Sequence, residues 1–235
     1  MAVFQRGAFT FLRQLRRNNT REWFEAHRND FAVAVQLPMR ALIEEMDVRL
    51  ARVAPELVGD PRRSMFRIHR DVRFSRDKSP YKTHAAAWFY HSGAGRGVGG
   101  EAHGGAGFYI HVEPGQSSVG GGIWMPPAAT LALIREQLAE KPAAFGRLVR
   151  APAFRRAYGD LDSEAMLTRV PRGFAADHAA AEWLRYKSFT AGRMLADSDV
   201  LGERFPSLLE REVVRLLPLI RWLNTAIGHA PRARR

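Results

Sequence analysis

The stretch MFRIHRDVRF, residues 65–74, alternates. Phe66, Ile68, Val72 and Phe74 fall on one side of an extended chain, and Arg67, His69, Asp71 and Arg73 on the other. A period of two over this length is the pattern of a half-buried strand. Residues 75–80 (SRDKSP) are rich in turn formers. Thr83 to His91 reads as a second strand, with Trp88 and Tyr90 on one face and Phe89 on the other, so the two segments make a hairpin. Residues 92–107 hold eight glycines in sixteen positions, which predicts a flexible loop too glycine-rich to pack. Phe108, Ile110 and Val112 then alternate, Glu113-Pro114-Gly115-Gln116 turns the chain, and Ser117 to Trp124 returns as a further strand. Connections this short cannot carry parallel crossovers, so the sheet is expected to be antiparallel.

On both sides of this block the apolar period changes to that of a helix. Phe9, Leu12 and Leu15 mark a first helix. Thr20 is placed to cap a second. Phe24, Phe31, Val35, Leu42, Met46 and Leu50 line one side of a helical stretch that reaches about Leu57, with Pro38 set to bend or split it. After Pro126-Pro127 the period resumes at Leu131, Ile134 and Leu138, and a short helix covers about 142–150. Met166 to Val170 reads as a brief strand. Asp177 is expected to cap a helix running to about Tyr186, and Pro206 to Ile227 to form a last long helix kinked at Pro218. The expected fold class is therefore α+β, an antiparallel sheet in the middle of the chain packed against N-terminal and C-terminal helices. Residues 1–230 are expected to form one domain with the flexible loop at 92–107, followed by a basic tail at 231–235.

Apolar residues make up 46% of the 235, enough for a sizeable core. The absence of cysteine excludes disulfides, thiolate metal sites and a cysteine nucleophile. Residues 1–17 contain no run of signal-peptide type, and no stretch approaches the roughly 18 apolar residues that span a bilayer. A cytoplasmic protein without a membrane partner is the expectation. The formal net charge of +12 favours acidic partners, nucleic acid or phosphorylated small molecules. Two features temper that. Only four of the 36 basic residues are lysine, an arginine bias that also follows from genomic base composition, and the tail adds three charges that need not belong to the fold.

The charge is densest in the hairpin, where six basic side chains fall within the 16 residues from Arg67 to Lys82. Arginine forks match phosphate and carboxylate oxygens, and lysines add point charge from the turn. Arg67, Arg70, Arg73, Lys78 and Lys82 are the candidate anion-binding residues. Arg70 interrupts the apolar face, so it must be buried and paired or must reach a cavity. Tyr81 is placed to stack on a base or to donate a hydrogen bond. Two readings stand: an anion pocket, or a solvated strand face whose ion pairs, Arg70 with Asp71 or Asp77, pin the turn. Arg172, in Pro171-Arg172-Gly173-Phe174 before the expected helix, is a further candidate, since anions bind at helix N-termini; the alternative is a plain turn.

The spacing of Arg67, Arg70-Asp71, Arg73-Phe74, Lys78 and Pro80-Tyr81 resembles the hallmark of a bacterial and fungal family of unknown function, number 2461. Phe11-Leu12 with Asn18-Asn19, Arg21-Glu22-Trp23-Phe24 and His27-Arg28 are similar to the family's opening. Gly120-Gly121-Gly122 with Trp124 and Pro126, Pro171 to Phe174, Asp177-His178 and Lys187-Ser188-Phe189 are similar to its later blocks. The glycine insertion at 92–107 departs from that pattern. The resemblance implies one compact domain and points to the hairpin, and it implies no activity.

His84, His91, His103 and His111 fall in or beside the sheet together with Glu113. His111 and Glu113 share a strand face within reach of one metal ion, but no tight ligand set emerges from the spacing. The histidines are read as surface or packing residues, and no metal or cofactor is expected. Gly120-Gly121-Gly122 lacks the context of a phosphate cradle and marks a bulge or a close backbone approach. The functional expectation is a module that binds a phosphorylated or otherwise anionic ligand, nucleotide or nucleic acid included. The alternative is an enzyme acting on an anionic substrate, with Asp71 as acid-base group and Tyr81 as hydrogen-bond donor.

Overall fold

The computed structural model describes residues 2–94 and 104–230; most of the glycine loop and the basic tail lie outside them. The chain opens with helices: α1 (Arg6–Arg17), α2 (Arg21–Ala26) and α3 (Arg28–Phe31), then one wide π-helical turn (Ala32–Gln36) running into α4 (Leu37–Val53). The hydroxyl of Thr20 accepts from the Trp23 N–H, which caps α2 as the sequence suggests. The wide turn sits directly before Pro38. A proline ring crowds the preceding turn and donates no hydrogen bond, so the helix absorbs it by widening there.

Five strands follow: β1 (Leu57–Val58), β2 (Ala85–His91), β3 (Gly107–Val112), β4 (Ser118–Ile123) and, after helices α5 (Ala128–Glu140), α6 (Pro142–Val149), α7 (Pro152–Tyr158) and α8 (Ala181–Leu184), β5 (Phe189–Met194). They form one antiparallel sheet in the order β1-β2-β3-β4-β5. A short α9 (Asp197–Val200) and the long α10 (Phe205–Ala226) complete the chain. The fold is α+β, with helices at both ends of the chain around a central antiparallel sheet.

Alternation sorts the sheet into two faces. Phe108, Ile110 and Val112 of β3 are fully buried, and Val119 and Ile123 of β4 nearly so. A side chain at Gly121 would come within 3.0 Å of Ile220 Cδ1 and 3.2 Å of Leu216 Cδ1, so this face lies under α10. Its core is shared with Leu42, Ile43, Met46 and Leu50 of α4. Gly122 has φ +129° and its added Cβ would meet the Phe189 carbonyl oxygen at 1.9 Å; only glycine lets β4 and β5 approach so closely. The opposite face carries Tyr109, His111 and Glu113, all half-buried.

Several elements differ from the sequence expectation. Residues 65–74 do not form a regular strand. The hairpin is held by isolated pairs, Met65 with Ala87 and His69 with Tyr81, and by backbone bonds from Arg70 N–H to Pro80 (2.9 Å) and from Lys82 N–H to Ile68 (2.8 Å). Four steps from residue 65 to 69 oppose six from 81 to 87, so the returning arm holds two extra residues and bulges. Pairing ends at Arg70, because the Asp71 carboxylate accepts from the Arg73 N–H and Ser75 N–H bonds to Val72, local bonds that compete with a ladder. Phe74, expected on the apolar face, is 95% exposed. Met166 makes only a single bridge, to Tyr186. The helix expected from Asp177 begins at Ala181, since residues 175–181 close as turns first. Helix α7 and strand β5 were not foreseen, and no helix among the described residues is long and apolar enough to cross a membrane.

Candidate functional site

The two arms of the hairpin and the end of α1 enclose a hollow of about 500 Å³. Asn19, just past α1, builds one wall. Its amide donates to the Tyr81 carbonyl (2.9 Å) and its carbonyl accepts from the Tyr81 N–H (3.0 Å). One side chain thus imitates a neighbouring strand and ties the hairpin to the N-terminal helices. The Tyr81 ring stacks on Phe24 at 4.1 Å and is buried, which pushes its phenol pKa up. Tyr81 lines the hollow as a packed wall.

Arg16, Arg70 and Lys82 bring cations to the hollow from three places: α1, the outgoing arm and the returning arm. Arg70 donates to the Asp77 carboxylate and, at 3.4 Å, to the Ser75 hydroxyl. Hydrogen bonds from Ser79 and from Arg70 hold the Asp77 carboxyl well below the usual range. The Lys82 ammonium lies over the Phe66 ring at 5.1 Å. Burial, and the nearby Arg67 charge, lower its pKa. Within the lining, three cations face one carboxylate.

The other nominated residues lie outside this lining. Arg67 is exposed near Lys82. Arg73 grips Asp71 through two of its nitrogens (3.0 and 2.7 Å), both side chains exposed, and that bond holds Asp71 at about 2. Lys78 turns back on the Val72 carbonyl (3.0 Å). Arg172 is exposed in the turns before α8. The hairpin thus divides: Arg70, Asp77, Ser79, Tyr81 and Lys82 shape the hollow, and Asp71, Arg73 and Lys78 fasten the turn beyond it. Arg16 was missed from the sequence. Its only signal was its place two residues before Asn18-Asn19, which is no statement about the hairpin.

His84 lines the hollow from within the bulge of the returning arm. It immediately precedes Ala85, whose partner across the ladder is Val112, and Glu113 immediately follows Val112. One ligand atom each from His84, His111 and Glu113 lie within 4.8 Å of one another. The His84 and His111 rings are 4.1 Å apart, and His111 Nε2 lies 3.1 Å from Glu113 Oε2. Glu113 Oε1 accepts from the Thr83 hydroxyl (2.8 Å), and Tyr109 Oη lies 3.1 Å from His111 Nδ1. Burial, then the neighbouring His111, pushes His84 down to about 4. Burial pushes Glu113 up, but hydrogen bonds from His111 and Thr83 prevail and leave it lowered. Burial, with the Glu113 charge, raises Tyr109 to about 12. The sequence placed His111 and Glu113 on one face; it did not show that a bulge turns His84 toward them. His103 lies outside the described residues.

No curated protein and no solved structure matches the chain. Residues 7–222 match the family described as Conserved hypothetical protein (DUF2461), and with that span covered the chain belongs to this family.

Proposed function

We propose that the hollow between α1 and the hairpin binds a small phosphorylated or otherwise anionic molecule, nucleotides among the class. The observation that carries this reading is the convergence of Arg16, Arg70 and Lys82, from three separate segments, on one half-open space with Asp77 as the single carboxylate of its lining. Asp77 balances Arg70, which leaves the lining two positive charges in excess, and an anion relieves their repulsion. Arginine supplies a directional fork and Lys82, partly desolvated over Phe66, a point charge. A compact ligand fits better than an extended polyanion. Of the cations farther along the turn, Arg73 is engaged by Asp71 and Lys78 by the Val72 carbonyl, while Arg76 is exposed; one exposed arginine is a poor track for an extended polyanion. Asp71, fixed by Arg73 outside the lining, takes no part in this reading.

Calorimetric titration with inorganic phosphate, phosphosugars and nucleoside phosphates tests it. At least one class binds the wild-type chain, and Arg70→Ala and Lys82→Ala each weaken it about ten- to a hundredfold, the worth of one hydrogen bond to a charged group. Binding that both variants retain at full strength would refute the assignment.

A further inference from the structure

We infer that His84, His111 and Glu113 form a binding site for a divalent transition-metal ion. Two imidazoles and one carboxylate are a ligand set such ions take in proteins, usually with positions left open for water or substrate. The three donor atoms come from two adjacent strands and already lie within 4.8 Å of one another. The side chains around them occupy the atoms an ion would not use. Thr83 donates to Glu113 Oε1, which leaves Oε2 beside His111 Nε2. Tyr109 engages the other ring nitrogen of His111, Nδ1, and so orients Nε2 toward the cluster. Outer partners of this kind are what hold metal-ligating histidines and carboxylates in place. His111 Nε2 and Glu113 Oε2 bond each other at 3.1 Å, and an ion between them takes the place of that proton. The preference is for ions suited to imidazole, such as Zn²⁺, over Mg²⁺, which takes oxygen ligands. Because His84 also lines the hollow, an ion here borders the proposed anion site, yet neither Arg70 nor Lys82 supplies one of its ligands, and their charges act on His84 less than burial does.

The test is titration of the metal-free full chain with Zn²⁺ in a buffer without phosphate. One ion per chain is expected, undisturbed by excess Mg²⁺. Glu113→Gln and His111→Ala abolish that binding, Tyr109→Phe weakens it about ten- to a hundredfold, and Arg70→Ala leaves it unchanged. Circular dichroism establishes that each variant is folded. A second readout needs no variant: traces of Mn²⁺ broaden the ring signals of His84 and His111 before those of His27, His69, His178 and His229. Wild-type Zn²⁺ affinity in folded Glu113→Gln, or earlier broadening of the other histidines, overturns the assignment. Loss of phosphate binding in Arg70→Ala with Zn²⁺ binding intact separates this site from the anion site.

Discussion

The two faces of strand β3 are built from alternate residues of one segment and could hardly differ more. Phe108, Ile110 and Val112 are sealed beneath α10, while Tyr109, His111 and Glu113 remain half-buried and bonded to one another and to the hairpin. The first face is apolar and closed, so its contribution is stability. The second keeps polar groups within reach of solvent and of each other, so it can hold a ligand at little cost to the core. The difference places both proposed sites on or beside the face of β3 turned away from α10, next to the irregular, bulged hairpin.

The comparison breaks hardest on the buried side. Ile110→Ala opens a cavity under α10 and should cost about 2–5 kcal/mol in chemical denaturation, with phosphate and Zn²⁺ affinities of the folded fraction unchanged. A loss of either affinity would mean that the faces are coupled. Next comes the clamp between the hairpin and α1. Asn19→Ala strands the Tyr81 backbone groups and should cost about 1–3 kcal/mol. Unlike the core variant, it should also weaken phosphate binding, because the hollow loses a wall; unchanged affinity would show that the hairpin holds its shape alone.

A third expectation concerns the carboxylate that α10 does bury. Glu212 is 1% exposed and accepts from Arg193 (3.0 Å), Arg215 (2.6 Å) and the Tyr158 hydroxyl (2.9 Å). Burial alone would raise its pKa, but the hydrogen bonds from Arg193 and Tyr158 prevail and lower it. A carboxyl whose folded pKa is depressed adds stability that is complete above the ordinary glutamate range and is lost as pH falls through and below it. Melting temperature against pH should therefore decline on the acid side, and Glu212→Gln should flatten that limb while lowering stability at neutral pH. An unchanged limb would assign the acid sensitivity elsewhere. The smallest effect belongs to the exposed turn. Arg73→Ala removes a surface pair with Asp71 and should change stability by under about 1 kcal/mol, with phosphate affinity unaltered. A marked affinity loss would move the anion site toward the hairpin tip.

Much of the fold was legible in the chain. The period of two at residues 108–112 marked both faces of β3, and the helical period at residues 9–15 and 131–138 marked α1 and α5. Strand β5 was not legible, since Thr190, Ala191 and Gly192 carry no alternation and owe their extended form to pairing with β4. The site was legible only in outline. Charge density pointed to the hairpin, yet it did not distinguish Arg70, which lines the hollow together with its partner Asp77, from Arg73, which is paired with Asp71 outside that lining.

Composition and periodicity by themselves determined an α+β chain with a central antiparallel sheet, the place of the basic hairpin, and the shared face of His111 and Glu113. Those are properties of neighbours along the chain, and side-chain geometry in a strand or helix depends on local spacing. Tertiary structure alone decided that Arg16 joins Arg70 and Lys82, and that a two-residue bulge brings His84 to the pair on β3. Contacts between residues tens of positions apart depend on strand order and register, which long-range packing sets and a local pattern does not contain.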